Sequence, residues 1–228
     1  SKKGFIVLSK IKTFSLLGID ALPVDVEVDL SVSTLPKTLL VGLPEQAVRE
    51  STHRVERAIV NSGFTLPYDR TVINLAPAEL PKQAASFDLP ISLGILASSG
   101  QFLSDLLEHY AVVGELSLEG QTRGVKGALS MAMAAAKAKE IRGLVVPKVN
   151  AQEAAVVEDI DIIAVDSLAE AVGFFSGQLP LEPVPSRNEE WFQTFSATDL
   201  DYVDVRGQEM AKRALMLAAA GAHNLLML

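Results

Sequence analysis

The clearest pattern in the chain is Val24-Asp25-Val26-Glu27-Val28-Asp29-Leu30, apolar at every second position and acidic between. A period of two predicts a strand over about 22–33 with one buried and one wet face. Residues 5–17 alternate in the same way, and 37–41 form a third expected strand, stopped by Gly42. Pro44 suits the first turn of a helix over 44–62, in which Val48, Val55 and Ile59 return at helical spacing until Gly63. The periods then alternate along the rest of the chain. A strand is expected at 71–75, a helix from near Ser86, and a strand at 111–117 that turns through Glu119-Gly120 into a hairpin. After it come helix 127–140, strand 144–146, helix 150–158, strand 161–165 and helix 167–175. This order predicts an α/β (α+β) domain with helices packed on a mixed sheet. Helix 127–140, rich in alanine and carrying Met131 and Met133, is expected to touch neighbours on nearly all sides, with both methionines as core filler.

Pro180, Pro183 and Pro185 cannot continue a helix, so 178–198 reads as a linker, with Trp191, Phe192 and Phe195 expected to dock. Beyond it, Gly207-Gln208 precedes a helix over 209–220 and an apolar strand over 223–228. The expected organisation is a domain over 1–177, the linker, and a second element over 199–228.

Composition narrows the function. No apolar run reaches the ~18 residues that span a bilayer, and Ser1-Lys2-Lys3-Gly4 lacks the marks of a secretory signal, so no membrane role and a cytoplasmic location are expected. The absence of cysteine removes disulfides, thiolate metal sites and cysteine nucleophiles. His53, His109 and His223 are far apart in sequence and give no metal spacing. The alternating Asp25, Glu27 and Asp29 point one way along a strand and do not wrap a calcium ion, so they read as a solvated face.

A net charge of −8 argues against a basic nucleic-acid module, and both the first 185 residues and the remainder are acidic. Any DNA contact must use a local patch. Arg49, His53 and Arg57, at four-residue steps, form one stripe along the 44–62 helix. Lys82 lies in a loop before Asp88, and Arg123 and Lys126 flank the hairpin. Glu45, Glu50 and Glu56 can pair with the arginines of the same helix, and a salt-bridged solvent face is the competing reading.

Two resemblances sharpen this picture. The segments Thr71–Pro77, Ala85–Ile91 and Gly114–Gln121 are similar, in order and spacing, to the catalytic core of Lon-type serine peptidases. In that pairing Asp88 stands at the nucleophilic serine and Leu129 at the lysine, so the resemblance implies a peptidase scaffold without its chemistry. Ser86 is expected to cap the helix, with Asp88 in its first turn.

Val41-Gly42-Leu43-Pro44-Glu45, Val48-Arg49-Glu50, Asn61-Ser62-Gly63-Phe64, Asn74-Leu75-Ala76-Pro77-Ala78, Leu80-Pro81-Lys82, Phe87-Asp88-Leu89-Pro90-Ile91 and the Gly114-Glu115 hairpin together resemble the family of competence protein ComM and YifB, magnesium-chelatase-like AAA+ ATPases. The resemblance implies a Lon-protease-like domain of the ribosomal protein S5 domain 2-like fold, followed by the start of an AAA+ module. For the intact protein it implies ATP and Mg2+ as cofactors, self-association into a hexameric ring, and DNA branch migration during natural transformation. Gly207 and Gln208 fall where that family approaches the adenine. No Gly-x-x-x-x-Gly-Lys-Ser/Thr occurs in the 228 residues, so no catalytic residue and no cofactor are expected in this chain by itself.

Overall fold

The computed structural model describes residues 8–31, 33, 37–42, 44–80, 82, 85–186 and 202–227, the side chains of Ala47, Arg49 and Tyr202 excepted. The chain divides into two units, Ser1–Ser186 and Arg187–Leu228.

In the first unit, β1 (Ser9–Leu17) and β2 (Asp20–Ser31) form an antiparallel hairpin. Gly18 turns the chain at φ +64, a region that glycine enters without a Cβ clash. β3 (Lys37–Val41) and α1 (Gln46–Asn61) follow, then β4 (Arg70–Ala76), which pairs antiparallel to β2 and parallel to β3. The chain continues through α2 (Asp88–Ser98), β5 (Tyr110–Val112), the small hairpin β6 (Glu115–Leu116) and β7 (Thr122–Arg123), and α3 (Ala128–Lys137). β8 (Gly143–Pro147), α4 (Ala151–Ala154), β9 (Asp161–Val165) and α5 (Leu168–Phe175) complete it. The seven-stranded sheet runs β3-β4-β2-β1-β5-β8-β9, and only the β1–β2 and β2–β4 pairs are antiparallel. The mixed α/β class expected from the alternating periods is what the chain adopts.

Both faces of the sheet carry a core. Ile11, Val24, Val26, Val28, Ile73 and Leu75 point to one side, where Val48, Val55 and Ile59 of α1 and nearly the whole of α2 meet them. Each such side chain contributes roughly 1.5–3 kcal/mol by leaving water. α2 lies so close to β2 that a Cβ on Gly94 would stand 2.6 Å from Val28 Cγ2. On the other side, Phe14 packs in one cluster with Ala128, Met131, Ala132 and Ala135 of α3 and with Leu144, Val146 and Ile162. The acidic face of β2 stays partly wet, with Asp25 paired to Lys10 at 2.8 Å and Glu27 accepting from Asn74 at 2.8 Å.

Several elements differ from the sequence pattern. The strand expected over 111–117 is two: β5 joins the main sheet, while β6 leaves it after Val113-Gly114, whose N–H groups bond to Val145 O (3.0 Å) and Ser86 O (2.9 Å). α3 buries one face only, and Met133 and Leu129 lie on the exposed side. Alanine's small volume permits close packing on every side but does not supply the neighbours. The helix over 150–158 closes after one turn, as Val157 N bonds back to Ala154 O at 3.1 Å. Residues 181–186 stay on the first unit through Leu181, packed on the core, and Val184 N, bonded to Ile162 O at 2.8 Å. Trp191, Phe192 and Phe195 lie outside the described residues.

In the second unit, α6 (Glu209–Gly221) begins after Gln208 and has no buried residue. It ends at Ala222, and His223 N bonds back to Ala218 O at 2.9 Å. Residues 223–227 form no strand, contrary to their apolar pattern, because a strand needs a neighbour for its backbone groups. No described helix is long and apolar enough to cross a membrane.

Candidate functional site

The site grows from the entry of α2. α1 buries Val48, Ser51, Val55, Ala58 and Ile59, and Arg54 lies beside that stripe, half-buried. Asp88 is the first residue of α2 and is fully buried. Arg54 donates Nε to Asp88 Oδ2 at 3.0 Å and Nη2 to Oδ1 at 3.3 Å, a two-pronged grip. Leu116 N of β6 adds a third donor to Oδ2 at 3.2 Å. One carboxylate thus ties α1, α2 and the small hairpin together. Burial pushes the Asp88 carboxyl above its usual range, opposed by Arg54 and the Leu116 N–H. The Ser51 hydroxyl also favours the charged form, and every one of these partners is a group that can donate to an ionised carboxylate.

Asp88 stands at the helix entry, as expected, but Ser86 is no cap. Phe87 holds the N-cap position without a side-chain bond, and Ser86 Oγ is enclosed with no partner. Ser86 lies within the 3-10 turn Ala85–Phe87 that precedes α2. Ser92 Oγ donates to Asp88 O at 2.8 Å. Neither hydroxyl is bonded to Lys126, although Ser86 and Lys126 line one cavity of about 460 Å³. Leu129 is on α3, its N–H donating to Glu153 Oε1 at 3.2 Å, and offers no base.

Lys82 is misplaced by the sequence reading. Rather than facing DNA from a loop, it is fully buried, with Nζ donating to Gly42 O at 2.7 Å and to Pro77 O. Desolvation lowers its pKa. It ties the ends of β3 and β4 together, where the turn carbonyls lack strand partners. His53 and Arg57 are exposed on α1, and Arg49 shares that helix. Of the helix carboxylates, Glu50 accepts from Gln46 at 3.0 Å and Glu56 from Thr38 at 3.0 Å. Arg123 is exposed, 3.6 Å from Glu115, and Lys126 is exposed at the cavity rim. Gly207 and Gln208 are exposed, with φ +69 and +57, ahead of α6.

Arg54 is the residue the pattern missed, and Ser86 is the one whose role it misassigned. A charge one position off the buried stripe of an amphipathic helix, facing a buried carboxylate, is the signal that would have found Arg54.

Residues 26–150 match the family model for subunit ChlI of Mg-chelatase, and residues 201–228 match that for magnesium chelatase, subunit ChlI. The chain is 44% identical over 213 residues to competence protein ComM of Haemophilus influenzae, covering 93% of this chain and 41% of ComM. It is 41% identical over 222 residues to YifB of Escherichia coli, covering 97% of this chain and 42% of that protein. With the uncharacterized protein Rv2897c of Mycobacterium tuberculosis it shares 34% over 220 residues, 96% of this chain and 42% of the relative. The chain therefore spans about two fifths of the length of these relatives, and it belongs to the magnesium-chelatase-like family that includes ComM and YifB.

Proposed function

We propose that this chain is the N-terminal part of a ComM-like AAA+ motor that drives DNA branch migration in the cytoplasm as a hexameric ring. In this reading the first unit is a Lon-like scaffold without proteolytic activity. Residues 202–227 begin an ATPase module whose phosphate loop and Mg2+-holding carboxylate belong to the longer protein. Gly207 and Gln208 then lie beside the adenine. The observation that carries the reading is similarity to ComM along 93% of the chain, from the sheet domain into α6.

The site supports a scaffold without peptidase chemistry. A serine nucleophile needs a base within hydrogen-bond reach. Asp88 is held by Arg54 in an acceptor-only role, Leu129 carries no base, and Ser86 Oγ touches none.

DNA contact rests on the exposed cations Arg57, Arg123 and Lys126 with His53, and on Arg49 of the same helix. Each copy is acidic, so a single copy binds weakly, and a ring gains strength by repeating the patch. The experiment reverses Arg49 and Arg57, and separately Arg123 and Lys126, to glutamate in the full-length protein, with DNA affinity measured at two salt concentrations. Weaker binding with a shallower salt slope supports the reading. Unchanged affinity with lost hexamer would make the unit a ring-assembly domain.

A further inference from the structure

Among the described residues, Thr13 Oγ1 and Ser86 Oγ are the buried side-chain polar atoms without a hydrogen-bond partner. Each lines a cavity: Thr13 one of about 750 Å³ formed by β1, β2 and α3, and Ser86, 4% exposed, one of about 460 Å³ that opens beside the entry of α2. The lining of the second also holds a lysine outside any ion pair among the described residues. The large majority of buried side-chain polar atoms in folded proteins have a hydrogen-bond partner, in the protein or in ordered water. The open space beside Ser86 is where a partner can come from.

The rest of the lining states what that partner is. Lys126 is exposed at the rim and takes part in no ion pair among the described residues. Glu115 is the carboxylate of the wall, balanced by Arg123 at 3.6 Å. Leu16 and Val125 supply apolar surface. One free ammonium and one hydroxyl suit a single negative charge; a dianionic phosphate would meet Glu115 with no second free cation. Glu115 in turn can accept an N–H next to the bound anion. Apolar wall, anion clamp and N–H acceptor together match an acylamino carboxylate.

We propose that this cavity captures the C-terminal carboxylate of a peptide, with Lys126 and Ser86 donating to the carboxylate, Glu115 accepting the adjoining amide N–H, and Leu16 and Val125 against the last side chain. No bond is made or broken. Recognition of a chain terminus by a few converging donors is a recurrent mode of peptide binding, and the volume lies within the range of small-ligand pockets.

The test titrates the isotope-labelled 228-residue chain with acetyl-Ala-Ala-Leu and follows amide resonances by NMR. The expected result is saturable shifts at Ser86, Gly124, Val125 and Lys126, with the C-terminally amidated peptide weaker by about tenfold or more. Ser86→Ala and Lys126→Gln should each weaken the peptide about fivefold or more while the other resonances keep their positions. Absence of saturation, equal binding of the amidated peptide, or unaffected binding by both variants overturns the proposal. Inorganic phosphate binding more tightly than the peptide at the same residues also overturns it, and would make the cavity a phosphate site. DNA affinity of the full-length protein is a separate readout, so either idea can fail alone.

Discussion

At the scale of single residues, the Arg54–Asp88 pair decides how the α2 entry is built. Removing one member of a buried ion pair leaves an uncompensated charge, so Arg54→Leu should cost about 3–5 kcal/mol in urea unfolding. Asp88→Asn, which keeps the shape and leaves Arg54 able to reach water, should cost less, about 1–3 kcal/mol. The two losses separate with pH. Burial already raises the folded pKa of Asp88 above its unfolded value, so this group favours folding at low pH and that contribution is lost as pH rises through the folded value. Arg54→Leu removes the strongest opposing partner and moves that value further up. The deficit of Arg54→Leu relative to wild type should therefore be larger at neutral pH than near about pH 4; a deficit that does not shrink in acid would mean that Asp88 is not charged in the folded chain. Lys82 acts in the same structural manner. Lys82→Met should lose about 2 kcal/mol or more by removing the ammonium donor from the Gly42 and Pro77 carbonyls, visible as a lower thermal midpoint.

At the scale of elements, close approaches set the tolerances. Gly42 ends β3 at φ +95, and a Cβ there would stand 2.1 Å from Leu75 O, in the backbone of the adjoining strand. Gly42→Ala must therefore shift β3 against β4, at a cost of roughly 3 kcal/mol; an unchanged midpoint would show that the β3 end can move freely. The small hairpin docks on the end of α1 through Asn61 Nδ2, which donates to Leu118 O at 2.7 Å. Asn61→Ala should cost about 1 kcal/mol and broaden the amide resonances of 115–123 before those of the main sheet. Sequence periodicity located nearly every one of these elements, because a strand or helix half-buried on a core writes its period into the chain. It joined β5 to β6 because an apolar run continues across Val113-Gly114, and the break lies in which partners those two amides find.

At the scale of the whole molecule, charge and the motifs present in the chain govern behaviour. The chain carries −8, so DNA binding by this chain alone should be weak and should fall steeply between low and moderate salt, the behaviour of a few phosphate contacts releasing counterions. Saturable ATP turnover by the 228-residue chain should be absent, since no phosphate loop occurs within it; turnover by the purified chain would refute the assignment of the ATPase machinery to the longer protein. α6 keeps Met216 and Leu217 more than half exposed, at 59% and 62%.

What the sequence determined by itself was most of the elements of the first unit, the mixed α/β class, the family through its ordered motifs, and the place of Asp88 at a helix entry. Those are local or pattern properties: period, turn residues and motif order are written along the chain. Tertiary structure alone decided that Arg54 reaches Asp88, that Ser86 is left without a partner beside Lys126, and that Lys82 turns inward to two carbonyls instead of outward to a ligand. Arg54 and Asp88 are 34 positions apart and Lys82 and Gly42 40, although the second carbonyl of Lys82, that of Pro77, is only 5 away. A lysine in a polar loop looks the same in sequence whether water or a carbonyl receives its protons. Only the fold brings the carbonyl there.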